Sequence, residues 1–207
     1  SDPINAVKIF NEKHADELMI LNIDSTVKNV EPDYNMIKKI AMESRMPICY
    51  GGGIKTIEQA KKIFNLGIEK ISISSSAIDN PGIIETFSNL FGSQSIVVTL
   101  DIRKNFLIRN YSIVTHNSKK KTNIKLFEFI KHVEELGAGE LVINSVDKDG
   151  TMSGYDYDII EQIRDNTSLP LTVLGGAGSF DDMGKLIKKH KIIGLGAGSL
   201  FVFTLYT

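Results

Sequence analysis

The sequence predicts an α/β protein of the (β/α)8-barrel class, and three observations carry that prediction. Strand-like and helix-like stretches alternate along the chain. The strand-like stretches are apolar and β-branched without clean alternation, as parallel strands covered on both faces are. The chain is also internally duplicated. Shifted by 123 residues, positions 12–62 align without a gap on 135–185, and 14 of the 51 pairs are identical. Random matching at ordinary composition would give roughly three. A duplicated set of four βα units is half of an eightfold barrel, repeated.

Each element follows from local pattern. A helix is expected over 3–13, with Asp2 suited to the N-cap and Pro3 to the first helical position. A strand follows at 17–23. Helix 33–43 then precedes strand 47–50, helix 57–65 precedes strand 70–74, and helix 82–90 precedes strand 95–102. Residues 105–115 read as a polar hairpin. The second half then gives helix 124–136, strand 140–146, helix 157–165, strand 170–174, helix 181–190 and strand 192–196. The identical pairs include Glu17/Glu140, Asp24/Asp147, Asp33/Asp156, Pro47/Pro170, Gly52/Gly175 and Gly53/Gly176. The 207 residues suit one domain, 1–207, slightly short of the roughly 250 of a complete barrel. The half-barrel repeat spans 12–76 and 135–199, and the strand at 96–102 has no partner 123 positions earlier. We therefore expect the first strand and its loop, roughly 28 residues by the repeat, to be missing from this chain.

Composition narrows the function. The net charge is −1, with 42% apolar and 24% charged residues. Nothing in the bulk electrostatics points to nucleic acid or to an anionic membrane. Cys49 is the one cysteine, so no disulfide joins the chain to itself and a reducing cytoplasm is expected. No run approaches a membrane span. The four histidines are unclustered and lack metal-ligand spacing, so neither a metal nor another cofactor is expected.

Two glycine clusters follow strands, Gly51-Gly52-Gly53 and Gly175-Gly176-Ala177-Gly178, and each is followed by a small-residue turn, Ser74-Ser75-Ser76 and Gly196-Ala197-Gly198-Ser199. Glycine lets the backbone approach an anion and aim N–H groups at it, and a helix N-terminus adds partial positive charge. Either these residues only make tight turns, or Gly53 and Ser75 in one half and Gly176, Gly198 and Ser199 in the other bind phosphate. Matched clusters imply a substrate with two phosphate groups. Asp101 sits near the catalytic end of an otherwise apolar strand, where burial raises a carboxyl pKa toward neutrality. It reads as a general acid/base or as a structural carboxylate bonding a loop amide. In Asp147-Lys148-Asp149-Gly150-Thr151, Asp149 and Gly150 bond a ligand or make a charged turn. At the opposite strand ends, Glu17, Lys70 and Glu140 form a stabilising charged ring or a gate into the barrel.

These residues resemble the cyclase subunit of imidazole glycerol phosphate synthase, the HisF family of histidine biosynthesis. The resemblance covers essentially all of the chain. It rests on YGGGI at 50–54, KISISSSAIDNP at 70–81, FGSQ at 91–94, LGAGE at 136–140, DKDGTMSGYD at 147–156 and GGAG at 175–178. It implies a barrel that accepts ammonia from a glutaminase docked on its N-terminal face. Ammonia then adds to a bisphosphate formimino-ribulose substrate, giving imidazole glycerol phosphate. It implies that Asp101 is catalytic. It implies that Gly53, Ser75, Asp149, Gly150, Gly176, Gly198 and Ser199 contact phosphate, and that Glu17, Lys70 and Glu140 belong to the ammonia gate. There are departures: Asn22 stands where the family usually has Asp, Ser74 where it has Asn, and Leu174 where it has a small or hydroxyl residue. The stretches NIDSTVKNVEPDY, MPICYGGGI and AGSLFVF look more like a WbuZ-like paralogue group that serves surface-sugar amidination, in which the barrel chiefly conducts ammonia.

Overall fold

A computed structural model describes residues 3–105, 110–116, 118–190, 193–198 and 200, with Thr26 by its backbone alone. The chain divides into two compact units, Ser1–Val97 and Val98–Thr207. The first unit runs α1 (Pro3–Glu12), β1 (Leu18–Leu21), α2 (Ile23–Lys28), α3 (Tyr34–Glu43), β2 (Ile48–Gly51), α4 (Ile57–Phe64), β3 (Lys70–Ile73), α5 (Ser75–Asp79) and α6 (Gly82–Phe91). Its strands pair in parallel in the order β1-β2-β3, with Leu18 opposite Ile48 and Cys49 opposite Lys70. All four residues of β2 are buried, which is why it reads as a continuous apolar run. Helices α3 and α4 start on side-chain caps. Asp33 accepts from the Met36 amide, and Thr56 and Gln59 form a reciprocal capping box.

The second unit runs β4 (Ile96–Asn105), β5 (Asn110–Thr115), β6 (Lys120–Lys121), α7 (Leu126–Glu135), β7 (Glu140–Ser145), α8 (Tyr157–Arg164), β8 (Leu171–Leu174), α9 (Phe180–Lys189) and β9 (Gly194–Leu195). Strand β4 lies beside β7, followed by β8 and β9. The expected hairpin differs in one respect. Its first arm is the continuation of β4, which pairs antiparallel with β5 from Asp101–Val114 to Asn105–Asn110.

The duplication is visible inside each unit. Pro3–Glu12 and Leu126–Glu135, and Ile48–Gly51 and Leu171–Leu174, are related by the same 123-residue shift. So is the register, since Leu18–Ile48 becomes Leu141–Leu171. The left-handed residues His14 and Asn29 recur as Gly137 and Met152. The shift then changes. Cys49 pairs with Lys70, whereas its mate Thr172 pairs with Gly194, so the second half has gained one residue before β9.

One tertiary tie is kept although its residues have changed. In the first unit Asn11 accepts from the Arg45 amide at 2.9 Å. In the second, Glu134 at the matched position accepts from the Ser168 amide at 3.2 Å, from Thr167 Oγ1 at 2.6 Å and from the Ser168 hydroxyl. These donors, led by the Ser168 hydroxyl, hold the Glu134 carboxyl below its ordinary value of 4.5. A lowered folded pKa means stability that is present above the unfolded value and lost as pH falls through the folded one. Glu134→Ala is expected to cost about 1 kcal/mol near neutrality, allowing for its partial exposure. The cost should vanish as the wild-type carboxylate is protonated. Urea unfolding of both proteins from pH 7 down to pH 3 checks this; a cost that persists at the acid end would contradict it.

Candidate active site

Asp101 stands at the residue where β4 begins to pair with β5. The strand before it, Ile96–Leu100, is fully buried, and Asp101 itself is half-buried. Burial therefore pushes its carboxyl above the ordinary carboxylate range; a hydrogen bond from Asn144 opposes that, and the negative charge of Asp149 adds to it. Asn144 Nδ2 donates to Asp101 Oδ1 at 2.8 Å. Among the described residues the carboxyl makes no other hydrogen bond.

The loop after β7 is held by its own backbone. The Lys148 and Asp149 amides donate to Ser145 O at 3.0 and 2.9 Å, and Gly150 takes φ +71°. Asp147 faces the hairpin. It accepts from the Lys104 amide at 2.8 Å and lies 3.6 Å from Arg103 Nε. Tyr111 donates to Asp156 at 2.9 Å and Lys104 reaches Asp158 at 3.4 Å. These bonds fasten the hairpin to the loop and to the start of α8, next to Asp101.

The glycine turns are tight for a steric reason. A Cβ on Gly52 would lie 2.6 Å from Asn22 O, and one on Gly175 would lie 2.6 Å from Ser145 O. These oxygens are repeat mates, so the same close approach is built twice. Gly176 combines φ +102° with a Cβ position 2.3 Å from Gly154 O, and Gly53 combines φ +75° with 2.9 Å from Val30 O. Gly150 and Gly198 differ, because a Cβ there meets nothing within 4 Å. Ser75 opens α5 just beyond β3. Ser199 lies outside the described residues. Within the second unit, then, Asp101 stands on β4 where its pairing with β5 begins, Asp149 and Gly150 follow β7, and Gly176 follows β8. Within the first, Gly53 and Ser75 follow β2 and β3.

At the starts of the strands, Lys70 Nζ donates to Glu17 Oε2 at 2.6 Å, with both side chains about a quarter exposed. In the second unit Glu140 accepts from Thr172 Oγ1 at 2.7 Å. Among the described residues no group of three or more His, Cys, Asp or Glu could hold a metal, and no helix is long and apolar enough to cross a membrane.

Sequence reasoning did not single out Asn144. One signal was available: its repeat mate is Leu21, between the identical pairs Ile20/Ile143 and Asp24/Asp147. A polar residue at a position that is apolar in the other half marks a break in symmetry.

With this geometry in hand, comparison with known proteins is decisive. The chain matches the histidine biosynthesis protein family over residues 1–207. It belongs to that family. A Leptospira borgpetersenii relative named "Putative imidazole glycerol phosphate synthase subunit HisF" is 52% identical over 98% of this chain and 80% of its own length. A Vibrio vulnificus relative with the same description and the label hisF3 is 51% identical, over 98% of this chain and 78% of its own. The imidazole glycerol phosphate synthase subunit HisF of Streptococcus mutans is 34% identical over 97% of this chain and 79% of its own. In this histidine biosynthesis family, Asp101 and the two glycine turns fall inside the matched region.

Proposed function

We propose that the chain is the ammonia-dependent cyclase subunit of an imidazole glycerol phosphate synthase. It converts a bisphosphate formimino-ribulose substrate and ammonia to imidazole glycerol phosphate. The observation that carries this reading is the half-buried Asp101 carboxyl on β4, with one oxygen held by Asn144 of the adjacent β7, in the unit that also carries the glycine turn after β8. A carboxyl whose pKa is raised by burial holds a proton more readily than a free carboxylate, as a general acid/base must. Gly53 and Ser75 bind one phosphate of the substrate. Asp149, Gly150, Gly176, Gly198 and Ser199 bind the other, through backbone N–H groups and hydroxyls.

Ammonia comes from a glutaminase subunit docked on the N-terminal face. Glu17, Lys70 and Glu140, at the strand starts, line its entry. The Lys70–Glu17 pair, about a quarter exposed, suits a gate, since an ion pair in contact with water opens at small cost.

One observation favours a second reading, an ammonia-conducting partner in a sugar-amidination complex without cyclase turnover. Leu174 fills the space over the last turn so closely that a Cβ on Gly196 would overlap its Cδ2. That crowds one phosphate cradle. The relatives above 50% identity also include a numbered copy, hisF3. Complementation of a cyclase-deficient histidine auxotroph separates the two. Growth supports the cyclase and eliminates the conductor-only reading. Absence of growth, with the protein expressed and soluble, eliminates the cyclase.

A further inference from the structure

We propose that Asn144 is the positioning residue of the site: it fixes the orientation of the Asp101 carboxyl from a place beside the glycine turn after β8. This rests on the reading of Asp101 as the acid/base group.

The Asn144 amide bonds Asp101 with its nitrogen, and its oxygen lies on the side of the Gly175 turn. Nδ2 donates to Asp101 Oδ1 at 2.8 Å. Oδ1 faces the other way, 3.3 Å from where a Cβ on Gly175 would stand. The amide is planar and rigid, so the carboxylate and the turn are spaced by one small group. The assignment of nitrogen toward Asp101 follows from chemistry, because a carboxylate accepts hydrogen bonds and would repel the amide oxygen.

The strand itself does not require an amide here. At the matched position β1 carries Leu21, while the neighbouring pairs Leu18/Leu141 and Ile20/Ile143 are identical. A half-buried amide costs stability unless it is bonded, and its NH2 group is committed to Asp101. The consequence is directional. With Oδ1 held, the second carboxylate oxygen is the one left for the reacting proton. The bond also favours the ionised form, against burial and against Asp149. The other charges near the carboxyl are engaged with each other, Arg103 with Asp147. Val114, opposite Asp101 on β5, is apolar, and His116 beyond it bonds Thr115.

The experiment is a carboxyl carbon-13 NMR titration of Asp101 in the intact protein, with the resonance assigned by its loss in Asp101→Asn. Two variants are compared with wild type. Asn144→Leu removes the donor and installs the residue type of the repeat mate. Asn144→Asp keeps the shape and replaces the donor with an acceptor, so it carries the test if the leucine variant fails to fold. The Asp101 pKa is expected to move up by about one to two units in Asn144→Leu. In Asn144→Asp the upper pKa of the coupled pair is expected to rise at least as far. With ammonia as nitrogen donor, the acid limb of kcat/KM should move with the NMR value, while KM for the bisphosphate changes by only a few-fold. An unmoved Asp101 titration, or an NMR shift that the kinetic limb does not follow, overturns the proposal. Full turnover in Asp101→Asn would instead remove the acid/base reading, and the two failures are distinct.

Discussion

Asp101→Asn is expected to lower ammonia-driven cyclisation by about a hundred- to ten-thousandfold, the range that loss of a general acid/base produces. Binding of the bisphosphate substrate should change only a few-fold. The substitution keeps the side chain's size and its contact with Asn144, and the phosphate contacts proposed above lie on other residues. Stability should move the opposite way from activity. In the folded protein the Asp101 carboxyl titrates above its unfolded value of 3.8. A carboxyl with a raised folded pKa binds more protons folded than unfolded. The folded state therefore loses stability as pH rises from the unfolded value through the folded one, and does not regain it above. Asparagine is neutral at every pH and escapes that loss. The variant should thus melt at a higher temperature than wild type at pH 7, with the gap closing toward pH 3. A site held under strain for chemistry gives this combination of lost activity and gained stability. Thermal melts and steady-state kinetics across pH check both halves. Unchanged turnover would exclude Asp101 from the chemistry, and a lower melting temperature at pH 7 would contradict the burial that the structure shows.

Much of this fold was legible because it is written twice. Identical residues at a constant spacing, such as Pro47/Pro170 and Gly52/Gly175, gave the architecture before any contact was known. The structure keeps that spacing in helix bounds, strand register and backbone conformation. What the pattern hid was local. The short helix α2 has no long apolar period and follows directly on β1, so it reads as loop. The polar run at 105–115 hid the continuation of β4, because a strand leaving the core loses its apolar pattern without losing its pairing. Lys119-Lys120-Lys121 reads as a solvated loop or as part of a phosphate-attracting flap, yet Lys120 and Lys121 pair with Thr115 and Val114 while staying exposed. At the site, Asp101 was visible as a carboxylate on an apolar strand. Asn144 was visible only as a broken symmetry, since an asparagine on a strand carries no spacing signal. The ties from Asp147, Tyr111 and Lys104 join residues more than forty positions apart, and no local pattern encodes them.

Gly176→Ala is expected to be the most damaging single-methyl change in the second unit, at about 2–5 kcal/mol. Two costs add. The backbone there has φ +102°, where any Cβ crowds the following carbonyl, and that alone accounts for about 1–2 kcal/mol. The new methyl would also stand 2.3 Å from Gly154 O, well inside van der Waals contact. That oxygen cannot simply turn away, because the Gly154 amide is bonded back to Gly176 O at 2.8 Å. The loop from β7 and the turn after β8 must separate to admit the methyl, breaking a contact that holds Asp149 and Gly150 near Asp101. Gly150→Ala is the internal control. It pays the left-handed backbone cost at φ +71° but meets nothing within 4 Å, so it should lose only about 1–2 kcal/mol. Urea unfolding at constant slope measures both. Phosphate-analogue binding then divides the roles. If backbone N–H groups of this loop hold phosphate, Gly150→Ala should weaken binding while the protein stays folded, whereas Gly176→Ala should lose stability and binding together. Equal stability of the two variants would mean that the turn after β8 is not pressed against Gly154, and the steric account of the glycine pair would fall with it.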